Sequence, residues 1–343
     1  MSNSNPTPRR TSDVLLDISN LKVQFPLREG TVRAVDGVSF RVFRGQSLGI
    51  VGESGCGKSV TAMSILRILP KTARIAGGSI TLHEGSEPVD IARLSEDGPA
   101  IRRIRSTSIS MIFQEPMTSL CPVYTIGNQI EEAVEANKGK GADGPARDQA
   151  IELLRRVGMP KADTVVDEYP FNLSGGMRQR ALIAMALAGK PSLLIADEPT
   201  TAVDVTLQAQ IIELIRDLQE ELGMALMMIT HDLGVIAETA DTVVVMYLGK
   251  AVERAPVETL FHDPKHPYTR GLLRSVPVLG GGAVQSLRPI RGSVPSFREI
   301  PQGCPFHPRC DAAIPGVCEV SEPPPIPVGE DHEVSCFLYG GTE

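Results

Sequence analysis

The stretch GESGCGKS, residues 52–59, decides how this chain is read. It follows an apolar run, SLGIV at 47–51, and opens KSVTAMSILRIL, where apolar residues recur at helical spacing. Strand, glycine turn and helix in that order match the G-x-x-x-x-G-K-[ST] phosphate loop. Glycines let backbone N–H groups curl around phosphates, and the helix N-terminus adds a favourable dipole. Gly52, Ser54, Gly55, Cys56, Gly57, Lys58, Ser59 and Val60 become the candidate nucleotide contacts. Lys58 is placed to reach the β- and γ-phosphates, and the Ser59 hydroxyl to ligate Mg²⁺. A glycine-rich turn before a helix is the bland alternative, but eight positions with the right flanks favour nucleotide binding.

Working outward, short apolar runs alternate with helical patterns, the signature of an α/β fold with a largely parallel sheet. SLGIVG (47–52), SISMIFQ (108–114), SLLIAD (192–197), MALMMITH (224–231) and TVVVMYLG (242–249) read as buried strands. The β-rich, alternating residues before the loop read as an antiparallel layer, and residues 115–173 as an inserted helical subdomain. After Gly249 proline becomes frequent, GGGA (280–283) reads as flexible, and SEPPPIP (321–327) as irregular. The expected organisation is a leader over 1–13, a nucleotide-binding domain over 14–250 and a Cys/Pro-rich tail over 251–343.

SLLIADEP supplies a second catalytic element. Asp197 ends an apolar strand, where a carboxylate can hold Mg²⁺, and Glu198 is placed to activate water as a general base. Alone, an acidic pair at a strand end is equally well a solvated edge; beside a phosphate loop it is a metal and base pair. LSGGMRQR (173–180) starts another helix, with Ser174, Gly175 and Gly176 exposing backbone N–H groups as a second anion site. One chain needs only one phosphate loop, so this terminus reads as a cover for a neighbour's nucleotide.

The net charge of −7 argues against a nucleic-acid-coating protein. No uninterrupted apolar run approaches a membrane span, and the start lacks the apolar stretch of a signal peptide. The expected setting is therefore a reducing compartment, where stable disulfides are disfavoured.

With these motifs in this order, the sequence resembles the ATP-binding subunits of ABC transporters over residues 14 to about 260. LSGGMRQR resembles the signature motif, with Met177 where Gln is most common. The resemblance implies a RecA-like P-loop NTPase core that binds ATP and Mg²⁺, with each phosphate loop facing the signature of a second ATPase. Gln114 in MIFQEP matches the Q-loop, which senses Mg²⁺ and water beside the membrane subunits. TAVD ending at Asp204 resembles the D-loop, and His231 in MMITHD the switch histidine that contacts the γ-phosphate. Phe25 stands where the family places an aromatic against adenine, although a buried strand aromatic explains it equally well.

One cassette, no coiled coil and no fused membrane helices fit an importer subunit better than an exporter or an ATPase acting on DNA or ribosomes. LFHDPKHPYTRGLLRSVP (260–277), with His266-Pro267-Tyr268, and the ending QGCPFHPRC resemble oligopeptide and dipeptide importer ATPases. Metal chelates, sugars or opines are the alternative cargoes. The implied partners are a second ATPase, favoured as a paralogue, two transmembrane permease subunits and an extracytoplasmic binding protein, with this chain at the cytoplasmic face of the membrane. Cys56 and Cys121 read as small apolar fillers.

Four cysteines, Cys304, Cys310, Cys318 and Cys336, crowd the tail. With disulfides disfavoured, they read as a metal site, tetrathiolate zinc or an iron–sulfur cluster, with a metal-free tail as the plain alternative. Their wide, uneven gaps suit a cluster better than zinc knuckles. The importer group's resemblance implies [4Fe–4S] and places such tails at the interface with the other ATPase, so the metal is expected to support assembly before it affects ATP binding. His307 reads as shaping the loop, with a metal ligand as the alternative.

Overall fold

A computed structural model describes residues 13–114, 119–137, 144–200, 204–275 and 290–340. The leader (save Asp13), the loop residues 138–143, the GGGA stretch and the first three residues of TAVD lie outside them.

The strands are β1 (Val14–Leu27), β2 (Gly30–Phe43), β3 (Ser47–Val51), β4 (Arg74–Leu82), β5 (Val89–Asp90), β6 (Ile109–Ile112), β7 (Leu193–Asp197), β8 (Ala225–Ile229), β9 (Thr242–Tyr247), β10 (Lys250–Pro256), β11 (Ile326–Gly329) and β12 (His332–Val334). They form two sheets, β2-β1-β4-β5 and β11-β12-β10-β9-β3-β8-β7-β6. The first is antiparallel throughout, as the alternating N-terminal pattern predicts. In the second, β9, β3, β8, β7 and β6 run parallel.

Those five strands read as continuous apolar runs because both faces of the sheet are covered. Leu193, Ile195, Met227, Ile229, Val244 and Met246 pack toward the antiparallel layer. Their neighbours Leu194, Ala196, Leu226, Met228, Val243 and Val245 pack toward the helices. The inserted segment supplies the helices Ile126–Glu135, Ala146–Arg156 and Ala162–Val165. Ile130, Val134, Ala150 and Leu154 carry them onto the same core as the helix Gly175–Leu187.

The compositional break after Gly249 is no structural break. β10 pairs with β9, and β12 and β11 then extend the sheet outward, while Tyr268 and Phe306 join the helix-side core. SEPPPIP departs from the expected irregularity at its end, since Ile326 and Pro327 open β11. Proline is tolerated there because β11 is an edge strand, whose missing N–H costs no ladder bond on its open side. Among the described residues, no helix is long and apolar enough to cross a membrane.

Candidate active site

Parallel pairing brings the motifs together. Ile50 of β3 and Asp197 of β7 both stand opposite Ile229 of β8, and Ile112 of β6 stands opposite Ala196. The residues just past these strand ends are the phosphate loop, Glu198, His231 and Gln114, so all four emerge at one edge, where ligands bind in open α/β sheets.

In the phosphate loop, Gly52 and Gly57 have φ of 152° and 102°. A Cβ on Gly52 would lie 2.2 Å from the Met246 carbonyl oxygen, and one on Gly57 2.4 Å from that of Ala34. Backbone therefore packs on backbone, and no other residue fits. Ser54 and Gly55 are exposed at the loop's crest. Lys58 is buried, and its Nζ donates to the carbonyls of Gly52 at 2.8 Å and Glu53 at 3.1 Å. Cys56 is buried as expected, and burial pushes its thiol pKa up. Val60 follows on the half-buried face of the helix.

Ser59 Oγ donates to Asp197 Oδ1 at 3.1 Å. Asp197 is buried, and desolvation raises its pKa against the opposing Ser59 bond. Two hard oxygen donors in contact, one a carboxylate deprived of water, fit Mg²⁺. Glu198 lies in the left-handed region at φ 47°, a strained setting for this residue type, pinned by its N–H donating to the Ile229 carbonyl at 2.8 Å. Gln114 Nε2 donates to Glu198 Oε2 at 3.0 Å, and His231 Nδ1 stands 3.4 Å from Oε1. Gln114 is thus held against Glu198, at the same sheet edge as the Ser59–Asp197 pair.

The signature residues stand elsewhere. Ser174 caps the helix Gly175–Leu187, its hydroxyl accepting from the Met177 N–H at 3.3 Å. Ser174, Gly175 and Gly176 line a surface opening with Gly158, Arg180 and Asp204, and no phosphate-loop residue lines it. Asp204 caps the following helix, Val205–Leu222, by accepting from the Leu207 N–H at 2.9 Å. Phe25 is half-buried opposite Val32 near the β1–β2 turn.

Cys121 corrects the expectation of an apolar filler: it is exposed. Its backbone is what is held, by Gln129, whose amide accepts from the Cys121 N–H and donates to its carbonyl. The four tail cysteines line one small pocket with Phe306, His307 and Phe337. His307 Nδ1–H donates to the Cys304 carbonyl at 2.9 Å, shaping the turn as read. Burial raises the thiols of Cys304, to about 11, and of Cys310 and Cys336. The free space among them is about 10 Å³, room for a single water. Among the described residues, no three His, Cys, Asp or Glu side chains stand close enough to hold one metal ion. The structure brings the four thiols to one pocket without drawing any three of them into a set that would hold a metal ion, zinc or iron–sulfur cluster alike.

Sequence reasoning missed how the tail grips the phosphate loop. Arg309 forms a two-pronged salt bridge with Glu53, Nη1 to Oε2 at 2.7 Å and Nη2 to Oε1 at 3.0 Å. The Glu53 N–H donates to Tyr268 Oη at 2.9 Å. His266 is buried and caps the helix Pro267–Arg274 by accepting from the Tyr268 N–H. The only signal was the His-Pro-Tyr and Cys-Pro-Phe-His-Pro-Arg-Cys strings themselves, which carry no hint of their partner more than 200 residues away.

The fold and this edge define an ATP-binding cassette, and comparison with known proteins agrees. The ABC transporter family matches residues 35–201, and the oligopeptide/dipeptide transporter C-terminal region matches residues 252–318. A Sinorhizobium fredii protein named "Probable peptide ABC transporter ATP-binding protein y4tR" is 50% identical over 327 residues, covering 95% of each chain. The oligopeptide transport ATP-binding protein AppD of Bacillus subtilis is 47% identical over 326 residues, covering 95% of this chain and 97% of AppD. A solved dimer of MJ0796, a bacterial ABC transporter cassette, superposes with a TM-score of 0.62 at 25% identity, covering 71% of this chain and 99% of that one. The chain belongs to the ABC transporter ATP-binding subunits, in the oligopeptide/dipeptide transporter family, and is an ABC-type ATPase.

Proposed function

We propose that this ATPase powers the import of di- and oligopeptides, as one of two cassettes that sandwich two ATP molecules beneath a pair of permease subunits. The observation that carries this reading is the split site. The phosphate loop, Asp197 and Glu198 gather at one edge, while the Ser174–Gly176 terminus is presented on a surface they do not share. Such a terminus suits a nucleotide brought by another chain. Glu198 acts as the general base, held by Gln114 and His231. Ser59 and Asp197 hold Mg²⁺, which neutralises charge on the phosphates. Phe25 stacks on adenine.

An exposed apolar surface supports the permease contact. Val123, Tyr124 and Phe171 are more than half exposed, and Tyr169 stacks on Phe171 with centroids 5.4 Å apart. Exposed aromatic side chains of this kind suit a surface that another protein covers. The second ATPase is a paralogue, an extracytoplasmic binding protein delivers the peptide, and the chain lies at the cytoplasmic face. The relatives named for peptide transport support the cargo.

The finer part of the proposal is that Cys304, Cys310, Cys318 and Cys336, which line one pocket, draw together around a [4Fe–4S] cluster, widening that pocket to admit it and stapling a proline-rich tail too small to fold alone. Anaerobically prepared protein should carry about four irons per chain, and stoichiometric zinc or no metal would overturn it. For the cargo, the chain is assembled in vesicles with its permease and binding protein. Peptides should stimulate ATP hydrolysis several-fold; stimulation by a sugar or a metal chelate instead would assign a different cargo.

A further inference from the structure

We propose that Arg309 is a positioning residue for the phosphate loop, and that through it the cysteine-bearing tail sets the affinity of the site for nucleotide. A carboxylate within a phosphate-binding loop is an electrostatic liability, since it repels the anion the loop must hold. Glu53 is such a carboxylate, the second residue of the loop. Arg309 neutralises it with the planar fork that suits a carboxylate, and lysine cannot reproduce that geometry.

The pair is built to be held. The Arg309 side chain is 5% exposed, and its Nε donates to the Arg291 carbonyl at 3.0 Å. Its guanidinium lies 5.8 Å from the Tyr247 ring centroid and 6.0 Å from that of Phe306, within cation–π range. Tyr268 fixes the other side of the same residue by accepting the Glu53 N–H. The Glu53 carbonyl in turn accepts from Lys58 Nζ, so a shift of Glu53 moves the lysine that must meet the phosphates. Arg309 lies between Cys304 and Cys310 in sequence, so whatever orders that segment also orders the loop. This places the tail's influence at nucleotide binding, not at assembly alone. It needs only that the chain binds ATP, not that its cargo is a peptide.

The test uses the full chain with its partner subunits and reads the ATP dissociation constant alongside KM and kcat. Arg309→Ala should weaken ATP binding and raise KM on the order of tenfold, with kcat changed by less than about twofold. Arg309→Lys should fall between, at roughly threefold. The decisive variant is Arg309→Ala with Glu53→Gln, which removes the orphaned charge and should recover most of the lost affinity. A general collapse of the tail could not be rescued by a change in the loop. Wild-type affinity in Arg309→Ala, or a double variant as weak as the single, would overturn the proposal.

Discussion

At the start of the helix Lys58–Ile65, a Cβ on Gly57 would lie 2.4 Å from the Ala34 carbonyl oxygen. At the start of the helix Gly175–Leu187, a Cβ on Gly175 would meet nothing within 4 Å. Both are glycine-rich helix termini suited to anions, yet Gly57 is glycine because its own chain leaves no room and Gly175 has open space above it. The phosphate loop is closed against its own chain at Gly57; the signature terminus is open at Gly175, where the proposed partner's phosphate would sit. The difference teaches that glycine at a helix start has two distinct reasons, and that substitution separates them.

The largest effect falls on the closed half. Glu198→Gln keeps the hydrogen bond from Gln114 within reach but cannot take a proton, so hydrolysis should fall roughly 10²–10⁴-fold while ATP still binds. Single-turnover hydrolysis together with nucleotide binding measures this, and wild-type turnover would remove Glu198 as the base.

Next come the two glycines. Gly57→Ala forces a left-handed residue into the Ala34 backbone and should cost at least about 1–3 kcal/mol of stability along with ATP binding. Gly175→Ala should change stability by less than about 0.5 kcal/mol and leave ATP binding to the single chain intact. Hydrolysis by the assembled pair should nevertheless fall on the order of tenfold or more, as when a positioned phosphate contact is lost. Thermal unfolding, single-chain binding and assembled ATPase, measured on both variants, decide it. Equal loss of stability would erase the distinction.

What was legible in the sequence divides along the same line. The phosphate loop, Asp197–Glu198 and the Ser174 cap are contiguous chemistry, in which a residue and its local geometry sit within a few positions. The five parallel strands were legible because burial on both faces makes them uninterrupted apolar runs. The tail was not. Arg309 meets Glu53 across 256 residues, and Glu253 meets His332 across 79, pairings that no local pattern encodes. Proline-rich composition suggested irregular chain, but Pro327 sits on a sheet edge where it does no harm. Cys121 misled because thiols are usually buried, whereas here Gln129 holds only the backbone around it.

A smaller effect tests the buried anchor beneath the closed half. Burial pushes His266 from its ordinary value of 6.5 down to about 3. Between those values the unfolded chain binds a proton that the folded chain refuses, so stability falls as pH drops from about 6.5 toward 3, by about 1.4 kcal/mol per unit from this group. His266→Asn keeps a capping side chain. Comparing denaturant midpoints at pH 7 and pH 5, the variant should lose about one proton's worth of that slope. An unchanged slope would mean that His266 is not the group refusing the proton.

The sharpest question about the open half concerns Ser174. Its hydroxyl caps the helix, so Ser174→Ala should cost about 1 kcal/mol in thermal stability. Aspartate caps as well as serine and suits the positive end of the helix dipole, so Ser174→Asp should unfold with the wild type to within about 0.5 kcal/mol. A carboxylate at that opening would repel an incoming phosphate, and the assembled ATPase should be lost although the chain is as stable as before and binds ATP alone. If Ser174→Asp kept full activity in the assembled pair, the hydroxyl would be a cap and nothing more, and the open terminus would need a different occupant from a neighbour's nucleotide.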